Sequence, residues 1–399
     1  MADEPRPAPA PIFEIPYLRL FPWLRLFRIP SAAANPKALV LAVLGLGLMA
    51  AGWDLLDRIF PASAGITPTV FELRELIGPD SLQTIPWFLT EPLRLITAPF
   101  FATFDLPDDL ASSFHALLAC LWVILVWGLA GGAIARIVVV KLAKDERVGL
   151  RESLLFAVRK ALPLIATPIV PLLGVAIVAA PIAAFSLLYR LPGPWGSTIA
   201  GLFAFLPLLG GLLLTLILLG LAVGWPLMQA SVAAESEDGF DAMSRSYAYI
   251  HQRPWHFAAY ILLAFAIGCA GLVFVDVFAR LVVHLTAWSL SLAGSRRSVE
   301  TFYVLGFNDA APPDFSTHKF WLGLIAALVR GWVYSAFWTA ATIIYLLLRK
   351  DVDGTPITEI AHTSRPSIFD STPVGNLTSP GEGKVLIVPG FEKGEPLSG

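Results

Sequence analysis

The sequence predicts an all-α integral membrane fold: a six-helix transmembrane bundle with a parallel internal repeat and interfacial amphipathic helices. Three observations carry this. Hydrophobic residues make up 56% of the chain against 15% charged, and the mean hydropathy is +0.70. Six long apolar stretches alternate with charge-bearing loops, and a helix needs about 20 apolar residues to cross the hydrocarbon layer. The intervals 161–189 and 191–234 contain no Asp, Glu, Lys or Arg at all.

In chain order, residues 1–16 are rich in Pro and Ala and read as disordered. Residues 17–28 alternate arginines with Leu, Phe and Trp. That pattern suits a segment lying in the headgroup plane, or a packed pre-helix against the bundle. Together, residues 1–36 form an N-terminal region ahead of a membrane domain at 37–349. The six spans are expected near 37–58, 112–140, 161–189, 199–228, 255–281 and 320–348. Ala62-Ser-Ala64 imitates a leader-peptide cleavage site, but Asp54, Asp57 and Arg58 separate it from the apolar core, so span one is read as a retained helix. Residues 59–110 are too polar to span and too apolar for a free loop. They read as two short helices, around 71–77 and 86–101, on the outer membrane surface or over the bundle mouth. Spans three and four are joined by a tight turn at 190–196. The segment from 350 to 399, rich in Pro, Gly, Ser and Thr, reads as a disordered tail.

The distribution of Lys and Arg sets the orientation. Of the 28, 18 fall on the side of the termini, 7 on the other side and 3 within or at the edges of spans. The short loop after span two alone holds Lys141, Lys144, Arg147, Arg151, Arg159 and Lys160. The positive-inside rule therefore places both termini in the cytoplasm.

The turn after span two resembles the turn after span four. Each has a Gly-rich exit (Gly128, Gly131 and Gly132; Gly220 and Gly224), an acidic link, a glycine (Gly149; Gly239) and an amphipathic helix leading into the next span. Copies in the same orientation make a parallel repeat. In the second copy Asp238 is placed to cap a helix with Phe240, Met243, Tyr247 and Ile250 at helical spacing.

The second turn, Ser236-Glu-Asp-Gly-Phe-Asp-Ala-Met-Ser-Arg-Ser-Tyr, continuing to Trp255, resembles a recurrent turn of bacterial polytopic membrane domains. These include uncharacterised families and the membrane domain attached to some glycerophosphodiester phosphodiesterases. The ending from Thr342 through Tyr345 and Arg349 to Asp353 is similar to their last span. The resemblance implies a helical module in a bacterial inner membrane. It implies no phosphodiesterase activity, because this sequence contains no soluble phosphodiesterase barrel.

Ionisable side chains inside a membrane are costly and are therefore the first functional candidates. Asp276, Arg280 and His284 follow one another at i, i+4 and i+8, and Arg330 enters span six. Two readings stand: a polar intramembrane site between spans five and six, or interfacial residues at helix ends. The cytoplasmic candidates for partner contact are Lys144, Arg147, Arg151, Arg159, Lys160, Arg245 and Arg253. The sequence has no Walker motif, no Ser nucleophile elbow, no HExxH and no paired carboxylates within a span, and Cys120 and Cys269 lie in apolar spans. No catalytic residue, metal or cofactor is therefore expected. The net charge of -2 gives no support for nucleic-acid binding. The expected function is a non-enzymatic scaffold or accessory component of a membrane complex, with the lipid bilayer and protein partners in that complex as its contacts. The alternative is a small-solute or lipid transporter working through Asp276, Arg280 and Arg330.

Overall fold

A computed structural model describes residues 21–61, 81–104, 110–191, 194–294 and 316–361. The expected segments 1–16 and 71–77, and the tail beyond 361, lie outside the described residues. The described residues form eleven α-helices and contain no strand. The helices are α1 (Ile29–Ala33), α2 (Pro36–Ile59), α3 (Ser81–Phe104), α4 (Leu110–Lys144), α5 (Leu150–Arg159), α6 (Ala161–Phe185), α7 (Pro194–Leu202), α8 (Phe205–Glu235), α9 (Gly239–Gln252), α10 (Pro254–Ser291) and α11 (Ser316–Asp353). Helices α2, α4, α6, α8, α10 and α11 are long and apolar enough to cross a membrane. The end of the bundle where α2 begins and α11 ends is here termed proximal, and the other distal.

The centre of the bundle is α4 and α11. In their most apolar windows 61% and 56% of residues are buried, against 11% for α6 and 6% for α8. Yet α11 has the lowest mean hydropathy of the six, 1.4 against 2.0–2.5 for the others. Its polar residues therefore point inward, the reverse of a water-soluble helix. The contact between the two central helices is aromatic. Trp127 of α4 stacks on Tyr334 and Trp338 of α11 at centroid distances of 4.8 and 6.1 Å. Gly131 makes this approach possible, because a Cβ there would stand 2.7 Å from the Trp338 ring.

Several boundaries differ from those expected. Span four is two helices, α7 and α8, because the chain turns at 203–204 before the long helix begins. Helix α10 runs unbroken to Ser291, which places residues 276–284 within a helix. The prolines of span three leave α6 continuous, with Pro168, Pro171 and Pro181 inside it. The largest correction concerns residues 81–104. They form one helix carrying Pro86, Pro92 and Pro99, and it is packed into the bundle. Leu95, Ile96 and Phe100 are buried, and Phe100 rests on Trp225 of α8 at 6.3 Å. A buried apolar face of Pro92, Leu95, Ile96, Pro99 and Phe100 turns this helix into the bundle, while Glu91 explains why it looked too polar to do so.

The N-terminal segment divides its faces. In the turn Pro22–Arg28, Leu26 is fully buried while Phe21, Trp23 and Phe27 are exposed. At the other end of the chain α11 continues to Asp353, and residues 354–361 fold back over the proximal end with Ile357 and Ile360 buried. The compact unit thus extends to Ala361, beyond the expected limit at 349.

The repeat has a backbone counterpart. Asp145 and Ser236, the residues just after α4 and α8, are the only non-glycine residues with positive φ among those described, at 55° and 58°. Each donates its N–H to a carbonyl four residues back, Asp145 to Lys141 at 3.1 Å and Ser236 to Val232 at 2.9 Å. Each copy then forms a short helix and breaks at a basic hinge. The hinges Lys160 and Arg253 make matching bonds, Lys160 N to Phe156 O and Arg253 N to Tyr249 O. The Lys160 ammonium donates to the Ser236 carbonyl at 2.6 Å and so ties one copy to the other. Asp238 caps α9 as expected, accepting from Phe240 N and Asp241 N at 3.1 and 3.0 Å. The face of α9 that turns inward is, however, Gly239, Ala242, Ser246 and Tyr249, and Phe240 is exposed. Small residues let the helix settle close to α6, where a Cβ on Gly239 would lie 2.7 Å from the Ala166 Cβ.

A left-handed conformation costs a non-glycine residue about 1–2 kcal/mol. Ser236→Gly is therefore expected to raise unfolding stability in mild detergent by about 1 kcal/mol and Ser236→Val to lower it. Denaturant titration of the purified protein measures both.

Candidate functional site

The inward polar face of α11 consists of Arg330, Tyr334, Trp338, Thr342, Tyr345 and Arg349, each at most 4% exposed. Spacings of three and four residues put all six on one side of the helix. Both ends of this stripe are ion-paired. Towards the distal end the Arg330 Nε meets the Glu91 carboxylate of α3 at 3.0 Å. At the proximal end the Arg349 Nε meets Glu235 of α8 at 2.8 Å. Between them the stripe is held by ring packing. Trp225 abuts the Trp338 edge at 6.1 Å, and Thr342 donates to the Trp338 carbonyl at 2.7 Å.

The proximal pair belongs to a larger cluster. The Ser231 and Tyr345 hydroxyls are 3.0 Å apart, and Ser231 also donates to Glu237 at 3.3 Å. Glu237 forms an ion pair with Arg245 of α9. Tyr249 donates to Asp353, and Tyr260 donates to Asp351 at 2.6 Å. Arg136 of α4 reaches two backbone carbonyls, Ala233 at 2.7 Å and Ala361 at 3.2 Å, and stacks over Phe156 at 4.8 Å. Ala361 in turn donates its N–H to Ala234 at 2.8 Å. Helices α4, α8, α9, α10 and α11 and the 354–361 strap are thereby joined at one end. Burial pushes the Glu237 carboxyl above the usual carboxylate range, outweighing the opposite pull of Arg245. Burial, followed by the bond to Asp353, pushes the Tyr249 hydroxyl up, so it remains a neutral donor.

The intramembrane candidates divide between two places. Asp276 is 5% exposed and accepts from Arg280 at 2.8 Å, as the i, i+4 spacing predicted. His284 lies on the exposed surface of α10. Arg330 is on α11 and pairs with Glu91 of α3. Of the basic candidates, Lys144, Arg147, Arg151, Arg159 and Arg253 are exposed. Lys160 and Arg245 turn inward to Ser236 and Glu237 and serve the fold.

Sequence reasoning missed several residues. Glu91 is the one acid in its helix, and the four-residue ladder of polar and aromatic residues in span six was a legible signal. Gln229, in an apolar span, donates to the Leu164 carbonyl at 2.8 Å and to Thr167 at 3.2 Å. His115 is fully buried, 3.2 Å from Asp57 and stacked on Phe60. Among the described residues no group of three or more His, Cys, Asp or Glu is placed to hold a metal ion.

Fold and site together define a multi-pass helical membrane protein with a buried polar axis on its central helix. No protein-family model, curated protein or solved structure matches the chain.

Removing one partner of a buried ion pair strands a charge and costs about 3–5 kcal/mol. Glu91→Gln and Arg330→Gln should each reduce stability by that order, while Glu91→Leu combined with Arg330→Met should cost less than either single change. Unfolding titrations of the four proteins in one detergent check this. For Glu237 the folded pKa is raised, so its ionised form destabilises the fold above that pKa and has no such effect below the unfolded value. Glu237→Gln should match the parent's melting temperature at acidic pH and exceed it increasingly as pH rises through the carboxylate range.

Proposed function

We propose that the chain is a non-enzymatic scaffold or accessory component of a membrane complex in a bacterial inner membrane. Both termini are cytoplasmic in this reading, and the proximal end is the partner-binding face. The observation that supports it is the proximal platform. Ion pairs and hydrogen bonds lock α4, α8, α9 and α11 at that end, and Lys144, Arg147, Arg151, Arg159 and Arg253 ring it as exposed cations. Rigid backing reduces the ordering cost of association, and a basic rim selects an acidic partner surface. The Lys and Arg bias supports a cytoplasmic location for this rim.

A transport path through Asp276, Arg280 and Arg330 has weaker support. It needs these charges on one wet cavity, whereas Arg280 pairs with Asp276 on α10, Arg330 pairs with Glu91 of α3, and the cleft between α8 and α10 is apolar.

Affinity isolation of the intact protein in mild detergent tests the proposal. A defined partner should accompany the parent protein. That partner should be lost from a variant carrying Arg147→Glu, Arg151→Glu and Arg159→Glu that still inserts into membranes. Recovery of both proteins alone would sink the scaffold reading.

A further inference from the structure

Helices α8 and α10 both pack on α11, yet they leave a cleft of about 270 Å³ between them. Its floor is the 333–344 stretch of α11, and its walls are residues 222–227 of α8 and 257–268 of α10. Leu89 of α3 abuts Gly268 and closes the distal end. The space exists because the walls are trimmed to Ala222, Ala264 and Gly268 and the floor to Ala336 and Ala340. Thr90 is the one polar side chain among the lining residues. Ile261 and Phe265 line the cleft and are still 40% and 36% exposed, so it opens sideways from the bundle.

We propose that this cleft binds one acyl chain of an anionic phospholipid from the proximal leaflet, with the headgroup at Arg253. This inference stands apart from the scaffold reading and does not depend on which side of the membrane is cytoplasmic. Three observations select the occupant. A dry, apolar cavity of about 150 Å³ already accepts a benzene-sized molecule, so this one takes a flexible hydrocarbon segment. Residues 257–268 rise about 16 Å along α10, half of the ~30 Å hydrocarbon layer, which is the reach of a chain from one leaflet. At the proximal mouth, one turn before Phe257, the hinge residue Arg253 is exposed, with Trp255, 85% exposed, beside it. A cation and an interfacial aromatic at the depth of the headgroups match an anionic lipid.

The test uses the full chain in phosphatidylcholine vesicles doped with phosphatidylglycerol carrying a photoactivatable group at mid-chain. Cross-linked peptides are identified by mass spectrometry. Labelling of 222–227 and 257–268 is expected to exceed that of the outward residues Leu208, Leu212 and Leu216 by about tenfold. Ala264→Phe fills the cleft from the α10 wall and Ala340→Phe from the floor. Each should remove the excess and leave the outward labelling intact, so a folding failure in one leaves the other decisive. Arg253→Gln should abolish the preference for labelled phosphatidylglycerol over labelled phosphatidylcholine. Even labelling of all outward apolar faces overturns the chain site. Equal labelling of the parent protein by the two headgroups overturns the assignment to Arg253. A cleft protected from both lipids, with two copies cross-linked through it, overturns lipid as the occupant.

Discussion

A charged or hydroxyl-bearing side chain inside a bilayer has no water to solvate it, so the protein itself must supply a partner. The rest of this structure depends on that constraint as it acts on α11. Six polar or aromatic residues on one face would make the helix a poor membrane span if they faced lipid. Turned inward, they make it the axis of the bundle. Arg330 then requires an acid at its own depth, and α3 brings Glu91 there. Arg349 requires one at the proximal end, and the last residue of α8 is Glu235. With α3 inside the bundle the first pair is satisfied, and the last residue of α8 satisfies the second. The pairs define register more than they add net stability, since the cost of desolvating both partners offsets much of their attraction.

The repeated unit solves a different problem. A span that leaves the membrane must turn, expose its last carbonyls and re-enter. Both copies use a residue in the left-handed region, a short amphipathic helix and a basic hinge. Their sequences are little alike, because the geometry asks only for a polar residue after the helix, a small one at the next helix start and a cation at the hinge. The two copies then diverge in use. Helix α5 exposes Leu154, Leu155 and Val158, as an interfacial helix does, whereas α9 is drawn into the proximal cluster through Arg245 and Tyr249.

Packing is uneven within the described residues. The proximal end is cross-linked by side chains, by the returning strap at Ala361 and by Arg136, which satisfies backbone carbonyls from two segments. Between α8 and α10 the packing is incomplete, because Ala222, Ala264 and Gly268 trim the walls and Ala336 and Ala340 the floor. A soluble protein would close such a gap or flood it with water. In hydrocarbon the gap can remain open, since lipid chains solvate its walls as well as a neighbouring helix would.

The sequence by itself determined the six spans, the end-to-end order of the bundle, the Asp238 cap and the Asp276–Arg280 pair. Each depends on composition or on spacings of three to four residues, and local helical geometry fixes those outcomes. Only the tertiary structure decided that α3 enters the bundle, that Arg330 pairs with Glu91, that Lys160 and Arg245 turn inward, and that α8 and α10 stand apart. The reason is physical. A bilayer makes every apolar residue acceptable on either side of a helix, so hydropathy identifies a span but not its inward face. That face is settled by which buried charge finds which partner, and those partners, Glu91 with Arg330 and Glu235 with Arg349, are more than a hundred residues apart in the chain.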